Sequence, residues 1–129
     1  MKKIISIKVL DAVTATTTSN KIDVSGAKRV GFLFRRANHA SGSTAFSVNI
    51  GGEPLETVTP TMLACNMLIT NTANTNSQTL TRVASVTLSA DGDAYAWLDP
   101  SVICTFVSVT ATETTDGTHS AWVILEVEE

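Results

Sequence analysis

Asp99-Pro100-Ser101 leads into Val102-Ile103-Cys104-Thr105-Phe106-Val107-Ser108-Val109-Thr110-Ala111-Thr112, and Thr115-Asp116-Gly117-Thr118 leads into Ala121-Trp122-Val123-Ile124-Leu125-Glu126-Val127. This stretch decides the fold. Two long β-branched runs flank an Asp-Gly pair, which supplies the positive φ angles of a tight strand reversal, so the pattern predicts a hairpin. Thr and Val favour strands because a branched Cβ suits the pleated surface and loses rotamer freedom in a helix.

Working outward, the same pattern recurs. Arg29 to Ala37 reads as a strand, with Val30, Phe32 and Phe34 alternating with Gly31, Leu33 and Arg35. Thr44 to Ile50 reads as its return strand, with Phe46, Val48 and Ile50 inward and Ser47 and Asn49 outward. Ile4 to Leu10 is a first strand with Ile5, Ile7 and Val9 on one face. Leu80 to Leu88 and Ala94 to Leu98 are strands around a second Asp-Gly turn, Ala90-Asp91-Gly92-Asp93. Thr61 to Ile69 follows Pro60 and is apolar enough to bury, as one short strand or as a helical turn and a strand. Asn71 to Ser77 reads as a polar loop. Ile22-Asp23-Val24-Ser25 is echoed by Leu98-Asp99-Pro100-Ser101, each followed by a long strand, a Gly-containing loop and a strand opening Ala-aromatic. The expected architecture is all-β: an antiparallel β-sandwich, jelly-roll or Ig-like, in which the echo has two readings, pseudo-symmetric halves or coincidence among β-rich sequences.

A chain of 129 residues is one domain by size, residues 1–129, long enough for a two-layer core without disulfide staples. Residues 1–19 read as an extended arm or a first strand. Lys8 and Asp11 interrupt the apolar start too early for a signal peptide. No stretch reaches the length of a membrane span, so no membrane partner is expected. A formal charge of −3, with 9 Lys and Arg, gives no reason to expect nucleic acid. Cys65 and Cys104 lie far apart in apolar surroundings and read as buried thiols.

No catalytic constellation is present. His39 and His119 sit in expected hairpin loops without ligand-spaced partners, and read as solvated. There is no Gly-x-Ser-x-Gly elbow. Asp91-Gly92-Asp93 lacks the later Glu of a calcium loop. No cofactor or metal is expected. Tyr95, Trp97 and Trp122 have two readings, a sugar-stacking platform or core residues; aromatics are only 5% of the chain, which favours core. Lys28, Arg29, Arg35 and Arg36 bracket one strand, as contacts for an acidic partner or as charges that protect an edge. Met62, Leu63, Met67 and Leu68 form an apolar segment to be buried against another chain or over the sandwich end. These eight residues are the candidate partner interface.

The phrasing of Ile22 to Val30, of Ala40 to Val48 and of Ala94 to Pro100 resembles small virion proteins of tailed bacteriophages, in particular the head decoration (cement) proteins. The resemblance spans roughly Asn20 to Val127 and is one of style and strand order. It implies a β-sandwich that assembles as a homotrimer or another small oligomer on the outer capsid surface. It further implies synthesis in the host cytoplasm, the major capsid protein as partner, and stabilisation of the capsid by bridging its subunits. No catalytic residues come with it. The alternative is a carbohydrate- or receptor-binding β-sandwich of a phage tail or head fibre. A small β-barrel enzyme stands last, because such chemistry needs a His-rich metal motif.

Overall fold

The computed structural model describes residues 2–38, 41–70, 80–113 and 117–128. His39, the expected loop over 71–77, and Thr115-Asp116 of the first Asp-Gly turn lie outside these residues. The described strands are β1 (Lys2–Val13), β2 (Thr17–Thr18), β3 (Ile22–Asp23), β4 (Ala27–Ala37), β5 (Thr44–Gly51), β6 (Leu63–Cys65), β7 (Met67–Thr70), β8 (Leu80–Val83), β9 (Val86–Leu88), β10 (Gly92–Trp97), β11 (Phe106–Glu113) and β12 (Thr118–Glu128). They form two antiparallel sheets. The first has the order β1-β12-β4-β10-β7-β8. The second has the order β2-β11-β5-β6, with β3 also on β11 and β9 also on β5. The chain is an all-β sandwich with a jelly-roll-like arrangement of two sheets.

The expected hairpins are not hairpins. β11 and β12 lie in opposite sheets, as do β4 and β5, and β9 and β10. Each pair is an arch across the core. An arch must span the roughly 10 Å between packed sheets instead of the roughly 4.8 Å between neighbouring strands. Apolar alternation is the same for a hairpin and an arch, because in both the apolar face looks into the core. The segment Thr61 to Ile69 also splits: β6 joins the second sheet and β7 the first, with Asn66 between them.

The inward residues of the four central strands stack in layers. Val30 pairs with Leu125, Phe32 with Val123 and Phe34 with Ala121 in the first sheet. Facing them, Ile50 pairs with Val107, Val48 with Val109 and Phe46 with Ala111. Phe34 and Phe46 stack across the gap, ring centroids 4.6 Å apart and 12° from parallel. Burial of such side chains is the main stabilising term, about 1.5–3 kcal/mol for each large one.

The N-terminal stretch forms β1, paired with β12 from Lys2↔Glu128 to Val13↔His119. The register slips twice near Leu10, where Ala12 takes φ 49° and its N–H donates to Ser120 Oγ at 2.9 Å. Such irregularities break up a long edge and discourage strand addition. The echoed tetrapeptides make the same turn. Asp23 Oδ1 accepts from Ser25 N–H and Oγ–H at 2.9 and 2.7 Å, and Asp99 Oδ1 accepts from Ser101 N–H and Oγ–H at 3.0 and 2.9 Å.

Candidate binding surfaces

At one end of the core the inward rows finish in polar residues. Arg36 pairs with His119 in the first sheet, and Thr44 with Glu113 in the second. All four are buried. Thr44 Oγ1 donates to Glu113 Oε2 at 2.8 Å. Arg36 Nη2 and His119 Nδ1 approach the same carboxylate at 3.6 and 3.4 Å. Arg36 also donates to the carbonyls of Ser41 and Gly42 at 2.9 Å and of Leu88 at 3.2 Å. Gly117, at φ +124°, passes so close that a Cβ would lie 3.0 Å from Arg36 Nε, so this turn needs glycine on both counts. The layer ties the β4–β5 and β11–β12 arches together. His119 is therefore not a solvated loop residue, and the Arg36 guanidinium is turned into the core of this chain rather than to its surface.

The remaining predicted interface residues separate. Met67 and Leu68 are buried within this chain, Met67 in the core and Leu68 beside Trp97, so they cover the sandwich themselves. Lys28 and Arg29 start β4 while Arg35 stands near its other end, about 20 Å away along the strand. The basic residues therefore do not make one patch. Met62 and Leu63 stand at the sandwich end opposite the Arg36 layer, and Leu63 is exposed.

The loops that leave that end, with the start of β6, carry exposed apolar side chains, Leu55, Val58 at 85% exposure, Leu63 and Ile103 at 94%, with Val58 and Met62 lying beside Thr18, Asn49 and Thr110 of the second sheet. These loops are pinned. Lys21 Nζ donates to the carbonyls of Thr57 and Val58, the latter at 2.8 Å, and Thr105 N–H donates to Gly51 O at 2.8 Å. Cys65 and Cys104 are free thiols packed part-buried against the core, and burial pushes both pKa values up.

The second surface is the outer face of the first sheet. Tyr95, Trp97 and Trp122 all point outward, in phase with Arg35 and Asp93, which corrects the expectation that they are core. Trp122 is half-buried beneath two cations, with Lys8 Nζ 5.1 Å and Arg35 Cζ 5.0 Å from its ring centroid. Tyr95 and Trp97 stay 60% and 39% exposed. Between Trp97 and Ile124 the ladder runs through Gly31. The missing side chain leaves a pit of about 210 Å³, walled by Ile4, Ile124, Tyr95 and Trp97 and closed at one end by Arg29 and Glu126. A Cβ on Gly31 would meet its neighbours at 3.6–3.8 Å, ordinary contact, and Gly31 is not among the described glycines with positive φ. Neither backbone nor packing requires glycine here, although glycine inside a strand costs about 0.5–1 kcal/mol relative to alanine.

Arg29 grips Glu126 with both arms, Nε to Oε2 at 2.5 Å and Nη2 to Oε1 at 2.9 Å, and Lys2 Nζ adds a contact at 3.4 Å. The Arg29 hydrogen bond, with Lys2 assisting, pulls the Glu126 carboxyl from an ordinary 4.5 to about 2. The pair therefore stabilises the fold fully above about pH 4.5, and this stabilisation is lost as pH falls through about 2. Glu126→Gln is expected to reduce the pH dependence of the unfolding midpoint in that window. A variant that keeps the full wild-type slope would assign the acid sensitivity elsewhere. Asp93 is also lowered, by its Arg35 hydrogen bond, so part of the slope survives the substitution.

Among the described residues no group of three or more His, Cys, Asp or Glu is placed to hold a metal ion, and no helix is long and apolar enough to cross a membrane. No protein-family model and no curated protein matches the chain. Among solved structures, the fold is similar to the crystal structure of the SPBc2 prophage-derived protein YomS, at 13% identity and a TM-score of 0.64, over 98% of this chain and 95% of that one. A second similarity is to a chain from the structure of infectious bursal disease virus Gx strain. It has 10% identity and a TM-score of 0.47, over 98% of this chain and 32% of that one. The YomS likeness is one of fold alone, over nearly the whole of both chains.

Proposed function

We propose that this chain, acting as one unit over residues 1–129, is a non-enzymatic structural protein of a phage virion that decorates the outer capsid surface. It stabilises the shell by bridging major capsid subunits, as a trimer or another small oligomer. The observation that carries this reading is the apolar loop end. Val58 and Ile103 stand almost fully in water on loops held by hydrogen bonds to their backbone, an arrangement that suits burial against a partner. Lys28, Leu63 and Met62, from the predicted interface, lie on or beside that end. The likeness to a prophage-derived fold supports the setting. The matching Asp23 and Asp99 turns support two halves built on one plan. Contact with a repeating lattice lets individually weak patches hold tightly.

Light scattering and co-sedimentation with empty capsid-like particles test the proposal. A small oligomer that saturates the particles is expected, and Val58→Asp combined with Ile103→Asp should weaken that binding at least ~30-fold, the scale of losing one anchoring side chain. A monomer that ignores the particles overturns it. The exposed Tyr95 and Trp97 favour a second reading, a carbohydrate- or receptor-binding module of a tail or head fibre.

A further inference from the structure

The pit at Gly31 sits on a different surface from the loop end, and its chemistry is different. Its walls are aromatic and aliphatic, from Tyr95, Trp97, Ile4 and Ile124. The two charged residues that line it, Arg29 and Glu126, are paired with each other, and Lys2 also reaches Glu126 from outside the lining. The lining itself thus presents hydrogen-bonding groups whose charges offset each other. Arg29 uses two of its five N–H donors on Glu126, which leaves donors to spare, and Glu126 holds its oxygens in a fixed plane.

We propose that this pit binds one neutral saccharide ring, stacked on Trp97 and Tyr95 with its hydroxyls turned toward Arg29 and Glu126. A cationic ligand would face Arg29 and Lys2, and an anionic one would face the Glu126 carboxylate, whereas a neutral ligand is opposed by neither. A purely apolar ligand would cover the Arg29–Glu126 end without satisfying it. A pyranose matches both sides of the pit, with an apolar ring face for the aromatics and hydroxyls that both donate and accept. The volume is below that of pockets enclosing drug-sized ligands, so it suits a single exposed unit of a larger glycan. Gly31 then has a reason: a side chain there would fit the fold and fill the site. The proposal deepens the second reading above, naming its site and ligand class, and does not depend on capsid decoration.

The test uses the full chain and three probes: methyl β-D-glucopyranoside, methyl β-D-galactopyranoside and N,N′-diacetylchitobiose, followed by saturation-transfer NMR and tryptophan fluorescence. At least one probe is expected to bind with a dissociation constant on the order of 1 mM, the scale of one stacked ring. Gly31→Val should weaken that binding more than about tenfold while holding the unfolding midpoint or raising it by roughly 2–5 °C. Gly31→Ala and Trp97→Ala are the independent variants should valine distort the strand, and each should also weaken binding. Failure of all three probes at about 10 mM, or undiminished binding by both Gly31 variants, overturns the proposal. So does a pit that accepts only apolar peptide side chains. Particle co-sedimentation by Gly31→Val should match wild type, so loss of sugar binding and loss of docking are read separately.

Discussion

Arg36→Ala is expected to destabilise the fold by about 3–5 kcal/mol, a large share of the roughly 5–15 kcal/mol that holds an ordinary domain together. The guanidinium is fully buried and is shared among three carbonyls and the Glu113 carboxylate. Removing it leaves that carboxylate buried with Thr44 and His119 and without its cation. It also leaves the carbonyls of Ser41, Gly42 and Leu88 without that donor. Urea unfolding would show the midpoint falling with little change in slope. A double-mutant cycle sharpens the result: Arg36→Met with Glu113→Leu removes both charges together and should recover much of the loss. If the single variant unfolds at the wild-type midpoint, the polar layer is not what ties the arches together.

Phe46→Ala should cost a similar amount, about 3–5 kcal/mol, for a different reason. Phe46 is completely buried, stacks on Phe34 from the opposite sheet and meets the edge of His119 with ring centroids 6.1 Å apart. Its ladder partner Ala111, and Ala121 beside its stacking partner Phe34, are too small to close the space. The cavity would stay open, and the loss should sit at the upper end of the range for large-to-small changes. Phe46→Leu, which keeps most of the volume, should cost less than half as much. Equal losses for both variants would mean that the stacking geometry, not the filled volume, carries the stability.

Much of the sandwich is legible in the residues. The alternation of Val30, Phe32 and Phe34, and of Phe46, Val48 and Ile50, names the inward faces correctly because a period of two is imposed by the pleat itself. The same phase, carried one step further, places Arg36 and Thr44 inward, and the phases of β11 and β12 do so for Glu113 and His119. Reading Arg36 and His119 as loop or surface residues followed residue type and overrode phase. Strand partners were less legible. Asp-Gly reports only that the chain reverses, and whether the next strand lies beside or across depends on where the extended run stops. The outer face escaped notice for a third reason. Tyr95, Trp97 and Gly31 come from two separate strands, and only the β4–β10 register brings them together. The apolar loop end is half legible, since Met62 and Leu63 belong to an apolar run while Val58 and Ile103 each stand in a segment whose exposure no pattern marks.

The arch topology also orders events during synthesis. Among the described strands, only β5–β6 and β7–β8 are both consecutive and directly paired; the long ladders join segments far apart in the chain. Folds of this kind close their loops late and fold slowly, in milliseconds to seconds. The first sheet has a harder constraint, because β12 lies between β1 and β4 and neither of them pairs with the other. Until Thr118–Glu128 has left the ribosome, β1 and β4 each present a long unpaired edge rich in Ile, Val and Phe. A nascent chain in that state is a template for its neighbours on the same polysome, so expression yield should depend on how quickly the last strand arrives.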